Sequence, residues 1–143
     1  MFVDGNHENF DLLNQYPGEL WNGGEIHRIT DSVLHLRRGQ VFDIGGRSVF
    51  AFGGAKSADI EERKEHVSWW KEEEPSQVEY DAGIRNLEQR GWRVDYVITH
   101  TCSSRTISGM NRIFERHDKA NEIKEYFDFI EEKLQYRHWF FGH

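Results

Sequence analysis

Three of the chain's histidines each follow a short apolar run. His7 comes after Phe2-Val3-Asp4-Gly5-Asn6, His100 after Val97-Ile98-Thr99, and His143 after Trp139-Phe140-Phe141-Gly142. Read as strands, these runs place each histidine just past a carboxyl end. In α/β sheets that rim is where ligands bind, because loops converge there on one crevice. Two imidazoles and the side-chain oxygen of Asn6 collected at such a rim would form part of a shell for a divalent metal such as zinc, manganese or iron. A lone histidine is more often solvated or hydrogen-bonded than a ligand. The shared context of the three keeps both readings open until the motifs are weighed.

Gly5-Asn6-His7-Glu8 resembles the Gly-Asn-His-Asp/Glu signature of calcineurin-like metallophosphoesterases. Thr99-His100 after an apolar run is similar to that family's next metal-binding histidine, and Phe141-Gly142-His143 to the start of its closing Gly-His-x-His motif. The order agrees, and the resemblance spans Val3 to His143. It implies that Asn6, His100 and His143 bind one metal of a two-metal pair. It also implies that His7 stabilises the transition state or protonates the leaving group. The implied activity is hydrolysis of a phosphomonoester or phosphodiester. In such a centre two metals about 3.5–4 Å apart bind the phosphoryl oxygens and activate a water for in-line attack. An imidazole beside the leaving oxygen can supply a proton near neutral pH. Glu8 is expected in the first turn of a helix, complementing its dipole.

The sequence also departs from the family pattern. The family's opening Asp-x-His and Gly-Asp-x-x-Asp do not occur before Gly5, and the closing motif stops at its first histidine. One metal would keep three ligands and lose its bridging carboxylate, while the other would lose its protein ligands. The chain alone is therefore expected to be inactive. The alternative is a catalytically inactive remnant serving as a binding or regulatory module. A closed structural metal site is disfavoured, because three neutral ligands leave open positions.

The elements that must position these residues read as follows. Phe2-Val3 ends a strand and a helix covers Asn9 to Gln15, stopped by Tyr16-Pro17-Gly18. From Ile26 to Phe52, the runs Val33–Leu36, Gln40–Ile44 and Ser48–Phe52, separated by Arg38-Gly39 and Gly45-Gly46, predict a β-meander. Ser76 and Glu79 have capping-box spacing, so a helix should run to Arg90 and end at Gly91. Val94–Thr99 is a buried strand. Thr101 to Asp118 is polar and loop-like. A helix from about Lys119 to Leu134 carries Ile123, Phe127, Ile130 and Leu134 on its core face. Together these predict a single α/β domain over residues 1–143. The resemblance implies two packed sheets flanked by helices, here lacking the first strand–helix unit. That loss should leave an exposed edge at Val94–Thr99, through which copies could self-associate.

Composition limits the function classes. Of the 143 residues, 37% are hydrophobic and 30% charged, with ten Phe, five Trp and five Tyr, a balance that packs a core. A net charge of −7 disfavours bulk nucleic-acid binding and means that bound metals would have to supply local cations for a phosphate substrate. The single cysteine, Cys102, fits a reducing compartment. With no apolar run near the roughly 18 residues of a membrane span and no signal peptide before the first motif, the sequence predicts a cytoplasmic protein without membrane contact.

The remaining candidates read as follows. Arg105, in the loop after His100, could clamp a phosphate. Trp69-Trp70 could stack a substrate ring or pack a loop against the core. Cys102 could be a ligand or nucleophile, but the sequence predicts no basic partner for it, so an incidental thiol is the simpler reading. His27 and His35 read as strand residues, His66, His117 and His138 as surface positions, Glu72–Glu74 as a solvated face, and Gly53-Gly54 as a tight turn.

Overall fold

A computed structural model of the chain describes residues 1–114 and 120–143. The order is α1 (Phe10–Leu13), β1 (Gly18–Trp21), β2 (Gly24–Arg28), β3 (Leu34–Leu36), β4 (Gln40–Ile44), β5 (Arg47–Phe52), α2 (Gln77–Gln89), β6 (Tyr96–Thr99), α3 (Ser104–Phe114), α4 (Glu122–Lys133) and β7 (His138–Phe141). Single 3-10 turns lie at Ile60–Glu62 and Lys71–Glu73. The fold is mixed α/β, with strands β1-β2-β3 in one antiparallel sheet and β4-β5-β6-β7 in the other. In the second sheet β4 and β5 form a hairpin, while β5, β6 and β7 run parallel.

Alternation along β4 and β5 explains the layering. Phe42 and Ala51 point to one face and pack with Ile26, Leu34 and Leu36 of the first sheet. Val41, Phe50 and Phe52 point to the other and pack with Tyr80 and Leu87 of α2 and Ile123, Phe127 and Ile130 of α4. The α4 stripe expected from its spacing is buried, and Leu134 with it. Its described part begins at Asn121, whose side chain accepts from the Lys124 amide, and the expected start near Lys119 lies outside the described residues. So does His117. The capping box at α2 is formed: Glu79 accepts from the Ser76 amide at 2.7 Å. Among the described residues no helix is long and apolar enough to cross a membrane.

Four expectations are corrected. The meander is split: β3 pairs with β2 in the first sheet, and the chain crosses to β4 through Arg37-Arg38-Gly39, with Gly39 at φ +73°. Ahead of it stands a hairpin, β1–β2, turned by Asn22-Gly23, both at positive φ as a primed two-residue turn requires. Ser104–Phe114 is helical rather than loop-like, because the Ser103 hydroxyl accepts from the Thr106 amide and opens the helix. Glu72–Glu74 is no solvated face, since Glu73 is completely buried. Finally, β6 is not an open edge: β5 and β7 pair with it on either side. The outer strands of this sheet are β4 and β7, and on β7 Phe140 and Phe141 are exposed.

Candidate metal centre

Three parallel strands put their carboxyl ends at one rim. The pairing of Thr99 with Phe141 continues one step further, where the Gly142 amide donates to the His100 carbonyl at 3.1 Å. That bond brings His143 alongside His100. The Gly5-Asn6-His7 segment reaches the same rim by a different route. Phe2 bridges β3, with its amide on the Leu34 carbonyl at 3.0 Å. The Asp4 carbonyl then accepts from the Gly54 amide at 2.9 Å, just past β5. Gly53 and Gly5 both permit the approach. A Cβ on Gly53 would fall on Asp4, and one on Gly5 would stand 2.8 Å from Cε1 of the His100 ring. The Glu8 carboxylate accepts from the Gly5 amide at 3.3 Å and closes the loop. Glu8 thus precedes α1 rather than opening it; Asn9 is the cap and Asp11 the first-turn acid.

Asn6, His100 and His143 meet. His100 Nε2 lies 3.1 Å from Asn6 Oδ1 and 3.0 Å from His143 Nδ1. One nitrogen carries at most one hydrogen, so a proton can at best be shared between these two neighbours. A cation would serve all three donors at once. Ligands around a metal with bonds of about 2.1 Å stand roughly 3.0–3.4 Å apart, which is the spacing found. The donor set of two imidazoles and an amide oxygen therefore fits a borderline divalent ion such as zinc, manganese or iron. Among the described residues no three His, Cys, Asp or Glu side chains gather as a metal group, so a carboxylate is not part of the cluster. Burial holds the His100 imidazole below the usual histidine range, with the His143 and His7 rings adding to the effect and Asp4 opposing it. The neutral ring is the form that ligates.

His7 stands beside this trio but outside its hydrogen bonds. It is exposed, and its ring accepts at Nδ1 from Arg63 at 2.8 Å, with the second guanidinium nitrogen 3.3 Å from Nε2. Arg63 also pairs with Asp59 at 2.9 Å and approaches Glu73 at 3.9 Å. Arg105 is not brought to the site. It lies on α3, where Glu132 of α4 takes its guanidinium and Asp128 accepts from its amide at 3.1 Å. Cys102 is a buried thiol. Trp70 packs with Phe10 and Leu13 and donates from Nε1 to Asp11 at 2.9 Å, while Trp69 is half-buried. His66 and His138 are exposed.

Behind the trio stand residues to which sequence reasoning gave no role. Asp4 is 1% exposed; it accepts from His35 Nε2 at 2.9 Å and from two nitrogens of Arg38 at 2.8 and 2.5 Å. Burial acts to raise its pKa, but Arg38 and His35 together hold the carboxyl below the usual carboxylate range. His35 Nδ1 in turn meets His27 Nδ1 at 3.3 Å. The two facing Nδ1 atoms share one proton between them, since two bare or two protonated nitrogens could not make the contact. The local signal was the pair itself, since His27 and His35 are both on strands and register places them opposite each other. On the far side, Asn6 Nδ2 donates to Ser57 Oγ at 2.9 Å, and Ser57 donates to Glu73 Oε2 at 2.5 Å. Burial pushes the Glu73 carboxyl up, opposed by the Ser57 hydroxyl and by Arg63.

The His27 ring is pulled down to about 4, first by burial and then by the charges of His35 and Arg37. It is neutral in the fold and chargeable when unfolded, so its stabilisation is complete above its unfolded value, near 6.5, and is lost as pH falls towards 4. The melting temperature is expected to drop between pH 6.5 and 4, and His27→Gln to flatten that drop. A wild-type profile that is level over this range in scanning calorimetry contradicts the assignment.

Comparison with protein-family models, with curated proteins and with solved structures found no match to this chain.

Proposed function

We propose that the chain carries one half of a calcineurin-like metallophosphoesterase centre, in which Asn6, His100 and His143 hold a divalent metal and His7 handles the proton of the leaving group. The observation that supports this best is that Asn6 Oδ1 and His143 Nδ1 both lie within 3.1 Å of His100 Nε2 at the carboxyl rim of a sheet. The three come from the motifs that resemble the family's, in the family's order. The sandwich of two sheets with flanking helices suits the same reading.

When bound, the metal supplies positive charge for the phosphoryl oxygens and lowers the pKa of a water. The chain's own residues do the rest. His100 is held neutral and ready to ligate. Arg63 donates to His7 Nδ1 and stands 3.3 Å from Nε2, so its guanidinium holds the imidazole in place beside the trio. The substrate class is a phosphomonoester or phosphodiester. A second reading, an inactive binding or regulatory module, is favoured by one observation. The trio includes no carboxylate to bridge two metals.

Titration of the purified chain with Mn²⁺ tests the proposal. One equivalent should bind, inorganic phosphate should bind only to the metal-loaded form, and turnover of an aryl phosphate by these 143 residues should stay near background. A chain that binds phosphate equally well without metal contradicts the phosphoesterase reading. Robust Mn²⁺-stimulated turnover lost in His7→Ala would instead rule out the inactive module. Self-association through an unpaired strand would find one such edge at β7, where Phe140 and Phe141 are exposed.

A further inference from the structure

The Asn6 side chain is a metal ligand only in one of its two orientations. Its oxygen can bind a cation, and its NH₂ group cannot. The two ends of the amide have nearly the same size, so packing alone does not choose between them. Hydrogen bonds must.

Those bonds are on the far side of the loop. A buried carboxylate can only accept, so Glu73 Oε2 takes the one proton of Ser57 Oγ. The hydroxyl is then left with lone pairs and must itself accept, and Asn6 Nδ2 is the donor it faces at 2.9 Å. Once Nδ2 is committed to Ser57, Oδ1 is turned to His100. Each member is shielded from water that could substitute for it: Asn6 is 4%, Ser57 4% and Glu73 0% exposed. Glu73 belongs to the 3-10 turn Lys71–Glu73 and has no place in the hydrophobic clusters. Its other oxygen, Oε1, makes no hydrogen bond, and the nearest charge it faces is Arg63 at 3.9 Å. A fully buried carboxylate with a half-used acceptor set is expensive to keep for packing alone. Removing Glu73 would free the Ser57 proton to point back at Asn6. The amide could then flip, with NH₂ facing the imidazoles.

From this geometry we propose that Glu73 is a positioning residue. Acting through Ser57, it fixes the Asn6 amide so that Oδ1 rather than Nδ2 faces the metal position. The proposal rests on the reading of Asn6, His100 and His143 as a ligand set, and adds to it the device that orients one ligand. A carboxylate two hydrogen bonds from a ligand oxygen plays the part that outer partners play for metal-binding histidines, whose loss costs about 10–100-fold in affinity.

The test is Mn²⁺ affinity by isothermal titration calorimetry, with the melting temperature of each metal-free variant measured alongside. Glu73→Ala is expected to bind about 10–100-fold more weakly. The deciding variant is the double substitution Glu73→Ala with Asn6→Asp. An aspartate presents an oxygen whichever way it is turned, and its second oxygen can accept the freed Ser57 proton. It should recover at least about tenfold of the lost affinity, and a larger factor than Asn6→Asp alone gains over wild type, a difference that a packing role for Glu73 would not produce. Should Glu73→Ala fail to fold, Ser57→Ala keeps the carboxylate while removing the acceptor of Nδ2, and should lower affinity by about tenfold or more. Three results overturn the proposal. Glu73→Ala or Ser57→Ala binding as tightly as wild type removes the relay and leaves the metal site standing. A double variant that folds yet regains nothing assigns Glu73 to structure alone. Wild type that binds no Mn²⁺ removes the ligand reading and the relay together.

Discussion

Replacing His100 by alanine is expected to weaken Mn²⁺ or Zn²⁺ binding by more than about 100-fold, beyond the range typical of outer partners. His100 Nε2 is the donor common to both short contacts of the trio, so its loss leaves Asn6 and His143 with nothing between them. The fold should survive, because the strand pairing on β6 uses backbone groups and the buried side chains of that strand are Val97 and Thr99. His100→Ala should therefore keep the metal-free melting temperature within a few degrees. If affinity is unchanged at constant fold, His100 is not a ligand.

The second large effect is on stability. Asp4→Ala should destabilise the chain by about 3–5 kcal/mol, since it leaves the buried Arg38 guanidinium without its partner. Arg38 retains the Glu72 carbonyl at 2.7 Å, a long contact to Glu79 at 3.5 Å and the face of the Phe10 ring at 5.4 Å, none of which replaces a buried carboxylate. In a domain of this size that loss lowers the melting temperature by on the order of 10 °C. Removing the charge as well, in Asp4→Ala with Arg38→Met, should cost less than the sum of the two single changes, because no uncompensated ion is then buried. Additive losses in urea titrations would show that the two residues act independently.

How much of this was legible depended on whether the signal was local. The placement of His100 and His143 at strand ends could be read because strand, loop and side chain lie within a few residues of one another, as in Val97 to His100. The α2 capping box and the α4 stripe were readable for the same reason. The Asn22-Gly23 hairpin was equally local, and the unread feature was the primed turn that this pair prefers. Other features have no local signature. Whether β3 pairs with β2 or with β4 depends on the turn at Gly39, and that turn is held by Arg38 reaching Asp4, a residue 34 positions away. Glu73 looked solvated because its neighbours are charged, yet its hydroxyl partner lies at Ser57 and the side chain behind that at Asn6. Arg63 sits in a polar stretch and meets His7 across 56 positions. Arg105 was placed near the site by proximity in sequence to His100, and a helix carried it to Glu132 instead.

The central claim is that Asn6, His100 and His143 hold one metal. Its most direct measurement is an anomalous difference map from crystals of the chain grown or soaked with Mn²⁺. The expected result is a peak roughly 2.0–2.3 Å from Asn6 Oδ1, His100 Nε2 and His143 Nδ1 together. A map from metal-saturated crystals with no peak there, or with the metal on other side chains, contradicts it.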